Sequence, residues 1–183
     1  MARSSRTPYV ILGLLCVNPM SGYDLKTTID NSIRQFWSES YGQLYPSLKR
    51  LHSDGWVRRA EEDVGGRKRH IYTITDAGRD ELRRWLSEPV APRVVRNEML
   101  LKLFFGRHLE AATLRGHLAA EGARARATVE GLREAIAHLQ ASEQSVPDLS
   151  YWLLTLDLGL RTAQARAEWA DDALTVLAQT HSE

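Results

Sequence analysis

Gln43, Ser47, Arg50 and Asp54 recur along one side of a helix-compatible segment, residues 40–54, with Lys49 beside them. Amide and hydroxyl groups both donate and accept hydrogen bonds, as a reader of base edges must, while Lys and Arg hold phosphate. On the other side Tyr41, Leu44, Leu48 and Leu51 fall at i, i+3, i+7 and i+10 and form an apolar stripe. Such a helix can rest on a core and present its polar side to the edge of a nucleic acid. Gln43 and Ser47 are the candidates for base contacts. Tyr41 and Tyr45 suit phosphate through their hydroxyls or thymine methyls through their rings, and Lys49 and Arg50 suit phosphate. More cations follow closely: Arg58-Arg59, then Arg67-Lys68-Arg69. Singly, each also suits an ordinary solvated surface. Clustered, they form the local basic patch that phosphate contact requires, in a chain whose net charge is only +1.

The elements that must position these groups can be read around them. Gly55 is placed to end the helix in the left-handed conformation. Residues 56–62 then predict a strand, Asp63-Val64-Gly65-Gly66 a tight turn, and residues 67–74 the returning strand. A helix followed by a hairpin with basic residues at its tip is the order of a winged helix-turn-helix. In that motif the second helix lies in the major groove and the first braces it across the backbone. The wing cations Arg67, Lys68 and Arg69 would then reach an adjacent minor groove or the backbone.

These residues carry a family resemblance. Ser40 through Val57, then Gly65-Gly66-Arg67-Lys68-Arg69-His70-Ile71-Tyr72-Thr73-Ile74-Thr75 and Gly78, resemble the PadR family of transcriptional regulators. Ile11-Leu12-Gly13-Leu14-Leu15 and Ser21-Gly22-Tyr23-Asp24-Leu25 match the same pattern upstream, so residues 8–88 are covered in one order. The family pattern also carries Pro46, which would otherwise be awkward inside a helix because it removes a donor. Regular helix is therefore expected to begin near Tyr45, or to have a loose first turn at Gly42. The region after residue 97 is similar to the virulence-activator-like helical tail of the family's larger branch.

Elsewhere the punctuation is local. A first helix is expected from Pro8 to Val17, stopped by Asn18-Pro19. Ser21 is an N-cap for a helix burying Leu25, Ile29, Ile33 and Phe36, and Trp37-Ser38-Glu39 is its exit turn. Thr75-Asp76 caps a helix burying Leu82, Trp85 and Leu86. Pro89 and Pro92 mark a linker. A short helix is expected over 97–105, and a long one from Glu110 to Ala141 with Leu118, Ala125, Val129, Leu132, Ile136 and Leu139 on one side. After Val146-Pro147-Asp148, Leu149, Leu153, Leu156, Leu160, Ala163, Ala167, Ala170, Leu174 and Leu177 alternate steps of four and three over about four heptads. One helix cannot bury that seam alone, and it is expected to serve dimerisation as well as packing on the preceding helix.

The fold expected is mainly α with a small β-hairpin. Residues 1–88 form a winged helix-turn-helix DNA-binding domain, 89–96 a linker, and 97–183 a helical dimerisation and effector domain. Residues 1–90 hold 14 Lys/Arg against 11 Asp/Glu, and residues 91–183 hold 10 against 12. No apolar run approaches the ~20 residues that span a bilayer, so no membrane partner is expected. Cys16 is the single cysteine, and as part of an apolar helix it is expected to be buried and reduced. Phosphate-loop, Gly-x-Ser-x-Gly, His-Glu-x-x-His and Cys-x-x-Cys patterns are absent and the six histidines are dispersed, so neither enzyme nor metal or other cofactor is expected.

The reading is a sequence-specific DNA-binding regulator in the bacterial cytoplasm, associated with the nucleoid. A two-fold dimer would place two reading helices on a palindromic double-stranded operator. The resemblance implies a homodimeric repressor released by a small aromatic or lipophilic effector, for which Trp37, Trp85, Phe104 and Trp152 are candidate pocket residues; the alternative for them is core packing. The alternative function is a dimeric adaptor that uses the winged helix for protein contact.

Overall fold

Helix α1 (Thr7–Val17) carries Pro8 in its first turn, where a missing N–H costs nothing, and stops at Asn18 in extended backbone before Pro19. The computed structural model describes residues 6–33, 37, 41–64, 67–92, 96–141 and 147–180; for Tyr41, Val64, Arg67 and Thr180 it describes the backbone. A two-residue strand β1 (Met20–Ser21) leads into α2 (Gly22–Asn31). Ser21 caps α2 through a capping box. Its hydroxyl accepts from the Asp24 N–H at 3.2 Å, and its own N–H donates to the Asp24 carboxylate at 3.1 Å. Next come α3 (Leu44–Ser53), β2 (Val57–Val64), β3 (Arg67–Ile74) and α4 (Asp76–Leu86). The sheet is antiparallel in the order β1-β3-β2.

The core of this unit is assembled from one stripe per element. It comprises Ile11, Leu12 and Leu15 of α1, Leu25 of α2, Leu44, Leu48 and Leu51 of α3, Val57 and Ile74 of the hairpin, and Leu82 of α4. Each fully buried aliphatic side chain contributes roughly 1.5–3 kcal/mol. At its edge the Tyr9 and Trp85 rings stack at 4.4 Å and 6°, and the Tyr9 hydroxyl donates to Glu81 at 3.1 Å, tying α1 to α4. Gly78 is required at the start of α4, because a Cβ there would fall into the carbonyl oxygen of Trp56.

The chain divides into two compact units, residues 1–92 and 93–183. The second holds α5 (Glu98–Phe104), capped by Asn97, then a 3-10 turn, α6 (Ala111–Ala141) and α7 (Leu149–Thr180). Helices α6 and α7 run antiparallel: Gly122 meets Ala170, Leu132 meets Gly159, and Arg126 bonds Asp171 at 3.0 Å. Leu114, Leu118, Ala125, Val129 and Leu132 are buried against a face of α7 that contains Leu156, Ala163, Ala167 and Ala170. A Cβ on Gly122 would lie 3.2 Å from that of Ala170, so glycine and alanine set the close approach of the two helices.

Three local expectations are corrected. Cys16 is exposed, because α1 is apolar nearly all round and only the face of Ile11, Leu12 and Leu15 meets the core. Leu86 is 65% exposed, at the last turn of α4 beyond the reach of α1. Helix α2 ends at Asn31, so Ile33 lies past it; Phe36 is outside the described residues.

Candidate nucleic-acid interface

The residues that could touch DNA depend on how α3 is started, stopped and seated. Tyr41–Gln43 form a 3-10 turn that runs into α3. Pro46 is the third helical residue, where the backbone N–H has no partner within the helix, so the ring is tolerated without breaking a bond. At the other end Gly55 adopts φ +73°, its N–H bonds the His52 carbonyl at 3.2 Å, and the Trp56 N–H bonds the Leu51 carbonyl at 2.9 Å. That pair of bonds is a Schellman motif. It turns the chain directly into β2. Thr75 braces the junction, donating its hydroxyl to the Gly55 carbonyl at 2.8 Å while capping α4 through the Gly78 N–H at 3.1 Å.

Seated on Leu44, Leu48 and Leu51, α3 leaves Gln43, Tyr45, Lys49 and Arg50 exposed. Tyr45 also lies across α2: a Cβ on Gly22 would come 2.7 Å from its ring, so glycine lets the two helices of the reading motif cross closely. Arg50 sits 3.5 Å from Asp54, an exposed pair that phosphate can displace at small cost. Ser47 is corrected. It is only 7% exposed and cannot serve as a base contact from this position. Lying three residues after Leu44 and four before Leu51, it falls within the buried stripe and not opposite it.

The wing is the β2–β3 hairpin, paired in register from Val57↔Ile74 to Val64↔Arg67. Val57 and Ile74 face the core, so strand alternation places Arg59, Glu61, Asp63, Lys68 and His70 on the same side. Arg58, Glu62 and Arg69 lie on the other. Lys68 is paired with Glu61 at 2.6 Å on its own side. Arg69 stands directly opposite Glu62, and its charge also helps hold the Asp24 carboxyl below the usual range, after the larger effect of the Ser21 hydrogen bonds. Arg58 joins this second side, and only the hairpin register reveals it. Of the remaining candidates, Ser40 lies outside the described residues, and Tyr41 and Arg67 are placed by their backbone alone.

Residues 11–84 match the transcriptional regulator PadR-like family and residues 95–178 match the virulence activator alpha C-terminal region. Over 176 residues the chain is 30% identical to the negative transcriptional regulator PadR of Bacillus subtilis, covering 92% of this chain and 96% of that one. The chain belongs to the PadR family of transcriptional regulators. Its fold is similar to B. subtilis PadR solved in complex with operator DNA, with a TM-score of 0.83, 28% identity and 94% and 99% of the two chains covered. It is similar also to the same protein in complex with p-coumaric acid (TM-score 0.77, 28% identity, 95% and 99% covered). The Vibrio cholerae virulence activator AphA resembles it at a TM-score of 0.75 and 31% identity over 95% and 99%.

The leucine–alanine seam of α7 packs in part on α6 of the same chain: Leu156, Ala163, Ala167 and Ala170 are buried, and Leu149, Leu153, Leu160, Leu174 and Leu177 are half-buried. The apolar groups left exposed are others, Leu101, Phe104 and Phe105 around α5 and Tyr151, Leu154 and Leu158 on the outer face of α7. The four aromatic pocket candidates do not share one unit. Trp85 is engaged by Tyr9 and by the Arg6 guanidinium 5.8 Å above it, and Trp37 belongs to the same first unit. Phe104, 82% exposed, and Trp152 belong to the second. Among the described residues no helix is long and apolar enough to cross a membrane, and no group of three His, Cys, Asp or Glu side chains converges as for a metal.

Proposed function

We propose that this PadR-family regulator is a cytoplasmic homodimer that represses transcription by binding a palindromic operator and is released by a small aromatic or lipophilic effector. The observation that carries the DNA part is the polar face of α3, with Gln43, Tyr45, Lys49 and Arg50 exposed, joined through the Gly55 cap to a hairpin bearing Arg58, Lys68 and Arg69. Gln43 takes the base-reading role. Tyr45, Lys49, Arg50 and the wing cations take phosphate, with Tyr41 and Arg67 continuing the two elements along the duplex. Ser40 and Ser47 are given no contact. The protein acts by binding, not catalysis, a reading supported by the regulators to which it is similar over nearly its whole length.

The second copy is assigned to the exposed apolar groups Leu101, Phe104 and Phe105 and Tyr151, Leu154 and Leu158, since these stand in solvent while the α7 seam is buried or half-buried within one chain. Leu101, Phe104 and Phe105 near the start of α6 and Tyr151, Leu154 and Leu158 near the start of α7 are large apolar groups left in solvent, the kind of surface that marks association. Repression is the sign borne by the Bacillus relative, and an effector of aromatic character fits the compound bound to it. A gel shift with promoter fragments from around the gene tests the core of the proposal. Replacing Arg67, Lys68 and Arg69 together by Ala should weaken binding by about tenfold or more and flatten its salt dependence; undiminished affinity would remove the wing from the interface.

A further inference from the structure

The hairpin assigned to DNA carries its own anions. Glu61, Glu62 and Asp63 on β2 precede Arg67, Lys68 and Arg69 on β3, so the outer end of the wing has no net formal charge. The register sets these groups against one another: Arg69 stands opposite Glu62, and Lys68 opposite Asp63. Lys68 also reaches diagonally across the strands, its Nζ 2.6 Å from the Glu61 carboxylate. Glu61, Glu62, Asp63, Lys68 and Arg69 are all exposed, and the hairpin meets the core through Val57 and Ile74 at its other end. Exposed ion pairs add little to stability. Their effect falls instead on what the cations can bind. A phosphate that takes Lys68 or Arg69 must displace a carboxylate. The displaced carboxylate then stands beside the DNA backbone and gathers a counterion, offsetting part of the counterion release that drives binding.

We propose that Glu61, Glu62 and Asp63 are internal competitors for the wing's cations and hold sequence-independent DNA binding weak. Resting on the reading of the hairpin as a DNA-contacting wing, this role gives its two strands opposed tasks: β3 binds phosphate and β2 restrains it. Sequence-independent binding comes almost wholly from phosphate contact, so it bears the full effect of the restraint. Base contacts from α3 then carry a larger share of the total at an operator.

The test uses the full-length protein and a duplex of scrambled sequence, titrated over a range of salt concentrations. Glu61→Gln, Glu62→Gln and Asp63→Asn together should tighten binding about tenfold or more and steepen the log–log salt slope by about one to three, since each phosphate contact contributes about 0.9. In that background, removing Lys68 and Arg69 by substitution with Ala should weaken binding more than it does in the wild type, a coupling that competition between the strands requires. Glu130, Glu134 and Glu168, exposed on α6 and α7, replaced together by Gln make the control for net charge and should give a far smaller gain. Circular dichroism checks that each variant is folded; the substituted side chains are all in solvent. The role is overturned by unchanged affinity and slope, by an equal gain from the control, or by absent coupling. Replacing Arg67, Lys68 and Arg69 by Ala separates it from the wing reading. If that variant binds as the wild type does, the hairpin is off the duplex and both fall. If it binds more weakly while the carboxylate variant is unchanged, the wing stands and only the restraint is lost.

Discussion

The reading helix α3 and the terminal helix α7 both carry a leucine-rich stripe, yet they present opposite surfaces. Helix α3 buries its stripe completely in the first unit, and what remains outside is polar and cationic: Gln43, Lys49 and Arg50 beside the ring of Tyr45. Helix α7 buries part of its stripe against α6 and leaves Tyr151, Leu154 and Leu158 in solvent. A buried stripe therefore says that a helix is packed, not what it is packed for. The residue types on the remaining face say which partner comes next. For α3 they suit a polyanion, and for α7 an apolar surface.

The contrast breaks most readily at the dimer. Phe104→Asp combined with Leu154→Asp places two charges in the surface assigned to the second copy, and self-association should weaken by roughly a thousandfold. Sedimentation showing an unchanged dimer would move the interface elsewhere. In the first unit, Leu48→Ala should cost about 3 kcal/mol of unfolding free energy, measured by urea denaturation, because Leu48 is fully enclosed. At the DNA, Gln43→Ala should weaken operator binding by about tenfold, whereas Ser47→Ala should change it less than about twofold, since Ser47 is buried. Equal losses from the two substitutions in a binding titration would mean that Ser47 reaches the groove after all.

The smallest effect concerns the cap of α2. Asp24→Ala removes half of the capping box and should lower stability at neutral pH by about 1 kcal/mol. The Asp24 carboxyl is held below its ordinary range, chiefly by the Ser21 hydroxyl and N–H. Its stabilisation is therefore present above the unfolded value near pH ~3.9 and is lost as pH falls through the lower folded value. The gap between wild type and variant should close below about pH 4. A gap that persists in acid would show that Asp24 acts through packing and not through charge.

What could be read along the chain was what is decided within a few residues. The Ser21 and Thr75 caps, the Gly55 stop and the helix starts at Thr7 and Leu149 depend on neighbours one to five positions away. Strand β1 was invisible because two residues carry no period; only its pairing with Tyr72 and Ile71 makes it a strand. Cys16 was misplaced because α1 offers apolar residues in almost every direction. Ser47 was different: its angle relative to Leu44, Leu48 and Leu51 already put it on the buried side, and residue type outweighed position. Arg58 needed the hairpin register, which the turn sequence suggests but does not fix.

The sequence by itself determined the order of elements, the caps that bound them and the presence of a basic hairpin behind a leucine-striped helix. These follow from backbone geometry and side-chain period, which are local. Only the tertiary structure decided which side of each helix meets a neighbour. It enclosed Ser47, left Cys16 exposed, and packed part of the α7 seam on α6. It also brought Arg96, just before α5, together with Arg124 of α6 and Arg166 of α7 around one cleft. Burial is a property of what lies opposite a residue, and that partner is set by chain segments too far away for periodicity to report.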